Sequence, residues 1–97
     1  MEVYRGRLIV YSMGNFCGYE QFGTEGGYGG TSMVVEAEVA KNGVLTAARI
    51  HPVVLNDKGE PRPDPEGAAI EQIRELTAED FPDTGVTVED DGTLRWR

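Results

Sequence analysis

The constraint that most limits this chain is the tripeptide Lys41-Asn42-Gly43, set between two runs that alternate apolar and polar residues. Asn-Gly supplies the positive φ values that a tight two-residue turn needs, so the flanking runs are expected to pair as antiparallel neighbours joined by a type I′ turn. Ahead of it, Ser32 to Ala40 alternates after Met33. Val35, Ala37 and Val39 fall on one face and Val34, Glu36 and Glu38 mostly on the other, the pattern of a half-solvated strand. The return strand runs from Val44 through Ile50 to Leu55. Pro52 predicts an edge or a bend part-way, because proline cannot donate to a ladder. Asn56-Asp57-Lys58-Gly59 ends the strand, the first two side chains bonding the backbone just ahead.

The same logic places a hairpin at each terminus. Val3-Tyr4 and Leu8 to Ser12 flank the turn Arg5-Gly6, with Glu2 and Arg7 expected across the ladder from one another or nearly so. Leu8, Ile9, Val10 and Tyr11 suit a strand covered on both faces, and Gly14 ends it. At the other end, Val86 and Val88 opposite Leu94 and Trp96 form a hairpin around Asp90-Asp91-Gly92 with one apolar face. Between the hairpins, Lys58 to Pro65 holds three prolines and reads as an extended connector.

One helix follows. Asp64 is placed to cap it and Pro65 to open it, with Glu66 at the positive end of the macrodipole. Ala69, Ile73 and Leu76, widened by Ile70, form the buried stripe; Glu71, Arg74 and Glu75 face water. Thr77 is expected to cap one further turn before Phe81-Pro82 stops it. The fold class is therefore α+β: antiparallel β-hairpins packed with one main α-helix, in a single small domain or fragment spanning residues 1–97. A chain of this length buries roughly 60 to 70 % of its unfolded surface.

Composition narrows the partners. The net charge of -8 argues against nucleic acid and anionic membrane, whose affinity rests on Lys and Arg displacing counterions. No apolar run approaches the ~20 residues needed to cross a bilayer, and the N-terminus lacks the regions of a signal peptide. One cysteine, Cys17, forms no internal disulfide and has no convincing partner to activate it as a nucleophile.

From Gly14 to Gly30, seven glycines are interleaved with Phe16, Tyr19, Phe22 and Tyr28, which marks a long loop or lid and not a flexible linker. A phosphate-binding reading fails on the missing lysine, the missing helix and the incomplete glycine fingerprint. His51, the only histidine, cannot by itself build a histidine-rich metal centre. Glu89-Asp90-Asp91-Gly92 has the wrong acidic spacing for a calcium loop and reads as a solvated turn. Ser12 and Asn15, at the end of the second strand, either orient a ligand or pin the turn by bonding its backbone; an amide beside glycine commonly does the latter.

The run Val3-Tyr4-Arg5-Gly6-Arg7-Leu8-Ile9-Val10-Tyr11-Ser12-Met13-Gly14-Asn15-Phe16 resembles the C-terminal part of the CapA capsule-synthesis family, linked to poly-gamma-glutamate production. That family shows Tyr-Ser-Leu-Gly-Asn-Phe at this point, and Met13 here replaces the leucine. The end of the return strand at Ile50-His51-Pro52-Val53, the proline-rich connector and the helix extend the likeness over nearly the whole chain. The resemblance implies the C-terminal part of a calcineurin-like metallophosphatase sandwich, often associated with the cell envelope. It also implies a divalent metal in the parent family whose Asp, Asn and His ligands precede the matched segment, so that no cofactor is expected in this chain. It makes Ser12, Asn15 and Phe16 the candidate ligand-binding residues, with no catalytic or metal-ligating residue carried over. Expected partners are the remainder of the parent domain or further copies of the chain. The alternative is a free-standing binding or assembly module on the same β-rich scaffold.

Overall fold

A computed structural model describes residues 1–14, 16, 30–56 and 58–97. Among the described residues it is α+β, with three small antiparallel sheets and one helix. The first sheet pairs β1 (Glu2–Tyr4) with β2 (Arg7–Ile9). The turn joining them holds Arg5 at φ 50° and Gly6 at φ 77°, two successive positive values. The type I′ geometry therefore occurs here, at Arg5-Gly6, and Arg5 occupies the left-handed region at a steric cost that glycine or asparagine would not incur.

The second sheet has the order β3 (Thr31–Val39), β4 (Leu45–Leu55), β5 (Pro61–Pro63). The β3–β4 hairpin forms around Lys41-Asn42-Gly43 as expected, but through a three-residue loop. The Gly43 N–H donates to the Ala40 carbonyl at 2.8 Å, the Ala40 N–H donates to the Val44 carbonyl at 2.9 Å, and only Gly43 has positive φ, at 87°. Asn42 instead uses its side-chain oxygen to accept from the Val44 N–H at 3.1 Å. The register then slips between Glu38 and Val39, leaving Thr46 as the extra residue of a bulge.

Pro52 neither bends β4 nor puts it at an edge: β4 is the central strand and runs through it unbroken. The reason lies in which side the proline presents. In an extended strand the nitrogen and carbonyl of one residue face the same neighbour, and the Pro52 carbonyl accepts from the Asp64 N–H, 3.0 Å away, just past β5. The missing donor thus falls where β5 has already stopped. The expected connector carries this third strand, with Val53 opposite Pro63, Val54 opposite Arg62 and Leu55 opposite Pro61. Asn56 shapes the approach to it by accepting from the Lys58 and Glu60 N–H groups at 2.9 and 3.0 Å.

The helix α1 (Ala68–Asp80) begins later than Pro65. Gly67 stands before it at φ 66°, outside helical space, and Asp64 reaches across the intervening turn to accept from the Glu66 and Ala68 N–H groups, both at 3.0 Å. Its buried stripe is rotated from the expected one. Ala69, Ile70 and Thr77 are buried and Ile73 packs against the core, whereas Leu76 is 45 % exposed. Thr77 is no cap but an interior contact, accepting from the Met1 amine at 3.0 Å. Gly85 lies so close that a Cβ on it would stand 2.5 Å from the Thr77 methyl. Phe81 ends the helix, its N–H donating to the Thr77 carbonyl at 2.8 Å. Arg74 does not simply face water: its guanidinium donates to the Val88 carbonyl at 2.8 and 3.1 Å and to Asp90 at 2.9 Å, and also pairs with Glu71.

Those bonds clamp α1 to the third sheet, β6 (Thr87–Val88) paired with β7 (Leu94–Arg95). Val86, Val88 and Leu94 are buried as the alternation predicts, with Trp96 packed against them. In the main core cluster Met1, Met33, Leu45, Ala48 and Ile50 meet Ala69, Ile70, Val86, Val88 and Leu94, while Val53 and Leu55 are buried outside it. Its centre is Ile50, fully inaccessible, whose N–H donates to the Gly92 carbonyl at 2.8 Å. Gly92 has φ 91°, and a Cβ there would stand 2.1 Å from the Ile50 carbonyl oxygen.

Two substitutions test these contacts. Gly92→Ala should lower stability by at least ~2 kcal/mol, through left-handed strain plus loss of the close approach to β4, read as a fall in the urea midpoint. Arg5→Asn should raise stability by roughly 0.5–1 kcal/mol, read as a higher urea midpoint, because asparagine tolerates the conformation that arginine is held in.

Candidate functional site

The exit of β2 is where the sequence concentrates its candidates, and the structure anchors that exit firmly. Tyr11 stacks on Phe81 with ring centroids 5.0 Å apart and planes 14° from parallel. Its hydroxyl donates to Glu2 at 2.7 Å, and the other Glu2 oxygen accepts from the Thr84 hydroxyl at 3.2 Å. Glu2 is only 8 % exposed and sits opposite Ile9 in the ladder, so the expected pairing with Arg7 is not made. Arg7 sits opposite Tyr4 and donates instead to two carbonyls, Arg5 at 3.1 Å and Asn42 at 3.0 Å. The first hairpin is thereby tied to the second, a link reinforced by the Leu45 N–H donating to the Gly6 carbonyl at 2.7 Å.

β2 itself is shorter and less covered than its composition predicts. It ends at Ile9; Leu8, Ile9 and Val10 are half-buried, and Tyr11 is 62 % exposed. Past it, Ser12 does what a turn-pinning serine does: its hydroxyl oxygen accepts from the Gly14 N–H at 3.4 Å, while Gly14 takes φ 76°. Asn15, Cys17 and the glycine-rich stretch through Gly29 lie outside the described residues.

Ser12 and Phe16 do not share a depression. Ser12 and Gly14 line a pocket of about 170 Å³ closed by Ser32 from β3 and by Gln72, Ile73 and Leu76 from α1. Phe16 lines a shallower, apolar groove of about 400 Å³ against Val34, His51, Pro52, Pro61 and Pro63. Ser32, which the sequence marks only as the start of the alternating strand, is among the residues lining the first of these pockets. It is 3 % exposed, and its hydroxyl has no hydrogen-bond partner among the described residues.

The other candidates hold ordinary structural contacts. His51 Nε2 lies 3.3 Å from Glu36 Oε1 on the exposed face of the sheet, a pair worth little in water. The acidic turn is occupied by its own neighbours: Glu89 pairs with Arg95 at 2.8 Å, Asp90 with Arg74, and Asp91 accepts from the Thr93 N–H at 2.9 Å. Among the described residues, no three His, Cys, Asp or Glu side chains draw together as a metal site, and no helix is long and apolar enough to cross a membrane. Comparison of the chain with protein-family models, with curated proteins and with solved structures finds no match to any of them.

The Tyr11–Glu2 bond has a pH signature. Donation to the Glu2 carboxylate, aided by burial and by the carboxylate's charge, raises the Tyr11 phenol above the ordinary tyrosine value. A group whose proton is held more tightly in the folded state stabilises that state below its unfolded pKa and loses the contribution as pH rises through the folded one. Stability should therefore decline in the alkaline range, above about pH 10. Tyr11→Phe should flatten that limb of the curve, as measured by denaturant midpoints against pH.

Proposed function

We propose that this chain is the C-terminal portion of a CapA-like, metallophosphatase-like protein of capsule or poly-gamma-glutamate biosynthesis, non-catalytic on its own, with the β2 exit bordering the parent's reaction centre. The observation that carries the reading is the incomplete cover of the very stretch that bears the resemblance. Leu8, Ile9 and Val10 form an apolar run suited to burial on both faces, yet all three stay half-buried, and Tyr4, Tyr11, Met13 and Phe16 are each at least half exposed. Large apolar side chains gathered along one exposed stretch mark a surface made to be covered. The remainder of the parent domain is the cover proposed here.

Chemistry of the parent kind requires a bound divalent ion to generate hydroxide and stabilise developing charge. In this reading the ion's ligands come from upstream, and the present chain contributes a shaped wall. Its pinned turn at Ser12-Gly14, with Asn15 and Phe16 following, is the part that would face substrate.

Calorimetry with Mn²⁺ or Zn²⁺ tests the proposal. The isolated 97-residue chain should show no tight, stoichiometric binding, and a polypeptide extended through the upstream region should bind. Tight binding by the isolated chain would refute it.

A second reading, an assembly module, draws on β3, a nine-residue strand at the edge of its sheet. Such edges pair with further copies unless charged, and Glu36 and Glu38 both point outward from this one. A monomer by light scattering at high protein concentration would set the assembly reading aside.

A further inference from the structure

The turn between β3 and β4 carries chemistry that its structural role does not use. Asn42-Gly43 sets a primary amide beside the least hindered backbone nitrogen a chain can offer, and Asn42 lies exposed at the tip. An asparagine carboxamide is open to attack by the backbone nitrogen of the next residue once that nitrogen has lost its proton. Two groups around this turn favour that reaction. The Val44 N–H donates to Asn42 Oδ1 at 3.1 Å, which holds the side chain over the Gly43 peptide and places a donor where negative charge develops on the attacked carbonyl. The Arg7 guanidinium donates to the Asn42 main-chain carbonyl at 3.0 Å. That oxygen belongs to the same peptide group as the Gly43 nitrogen, so it takes up charge when the N–H ionises, and a cation beside it favours the ionised form.

Arg7 has that charge to give. Its other contact is the Arg5 carbonyl at 3.1 Å, and among the described residues no carboxylate pairs with it. Against the reaction stands the bond from the Gly43 N–H to the Ala40 carbonyl at 2.8 Å. We infer that Asn42 is a site of self-modification, deamidated by its own chain with Arg7 as the promoting cation. The bond from the Gly43 nitrogen to Asn42 Cγ forms as the Cγ–Nδ2 bond breaks, and the carboxamide nitrogen leaves as ammonia with the proton from Gly43. Water then opens the cyclic imide. Opening at the side-chain carbonyl gives aspartate, whose carboxylate still accepts from Val44; opening at the backbone carbonyl gives isoaspartate, which lengthens the loop by a methylene. The inference rests on neither of the readings proposed above, since it needs no partner.

Mass spectrometry of the peptide spanning Asn42 follows the amide-to-acid exchange in the full chain, incubated in mildly alkaline buffer with and without urea. The folded chain should react at least as fast as the unfolded one. Arg7→Met should slow the folded chain by roughly threefold or more and leave the rate in urea unchanged. Arg7→Lys, which keeps a cation, should recover part of that loss. If Arg7→Met does not fold, salt at about 1 M takes its place, because screening the guanidinium should slow the folded chain alone. The inference fails if folding slows the reaction, the result expected of a turn that its Ala40 bond only protects. It fails equally if neither Arg7→Met nor salt changes the folded rate, or if Arg7→Lys reacts no faster than Arg7→Met.

Discussion

The second edge of β4 is the constraint on which the remaining structure depends. β3 covers one edge along its length, but the other is completed piecemeal by three segments far apart in sequence. Gly6 accepts from Leu45, Gly92 accepts from Ile50, and β5 with Asp64 takes Pro52 to Leu55. Each segment is the turn or short strand of another unit, so the N-terminal hairpin, the C-terminal hairpin and the connector are fixed in place by bonding to one strand. A two-stranded hairpin alone is marginal in water. Here neither terminal hairpin stands alone, because each lends its turn backbone to the central sheet. Burial follows from the same arrangement: the Gly92 contact brings Val88 and Leu94 over Ile50, and Arg74 then closes α1 onto the Val88 carbonyl.

This explains which features were legible in the sequence. Features set by a residue's own conformational chemistry were readable: hairpins around Arg5-Gly6, Asn42-Gly43 and Asp91-Gly92, the Asn56 turn, the stop at Phe81, and the alternation that buries Val86, Val88 and Leu94. Features set by a distant partner were not. Pro52 is acceptable in a central strand only because of where β5 stops, and nothing near Pro52 encodes that. The helical stripe turns toward Thr77 because Gly85, eight residues on, leaves room for close contact, which draws burial away from Leu76. The two turns are also packed together: Arg7 donates to the Asn42 carbonyl, and a Cβ on Gly43 would stand 3.2 Å from the Arg7 guanidinium.

The candidate site divides along the same line. That Ser12 pins its turn was readable from a short polar side chain beside a glycine. The Tyr11–Glu2–Thr84 chain was not, since Glu2 and Thr84 are separated by 82 residues and meet only because Gly85 bridges to Glu2 beside β1. Without that anchor the exit would leave β2 with only a 3.4 Å serine contact to direct it. With it, Ser12 and Gly14 are presented from a mount that joins β1, the end of α1 and the following turn.

What such a mount can recognise follows from where the carboxylates have gone. The chain has seventeen acidic residues, and several are engaged by structural contacts: Glu2 by Tyr11 and Thr84, Asp64 by the helix start, Glu71 and Asp90 by Arg74, Glu89 by Arg95, Asp91 by Thr93. A carboxylate spent on satisfying N–H and O–H groups is poorly placed to ligate an ion or act as a base. The pocket at the β2 exit is lined, among the described residues, by uncharged groups, including Ser12, Gln72 and the apolar side chains of Met13 and Leu76. Such a surface selects by shape and hydrogen bonding.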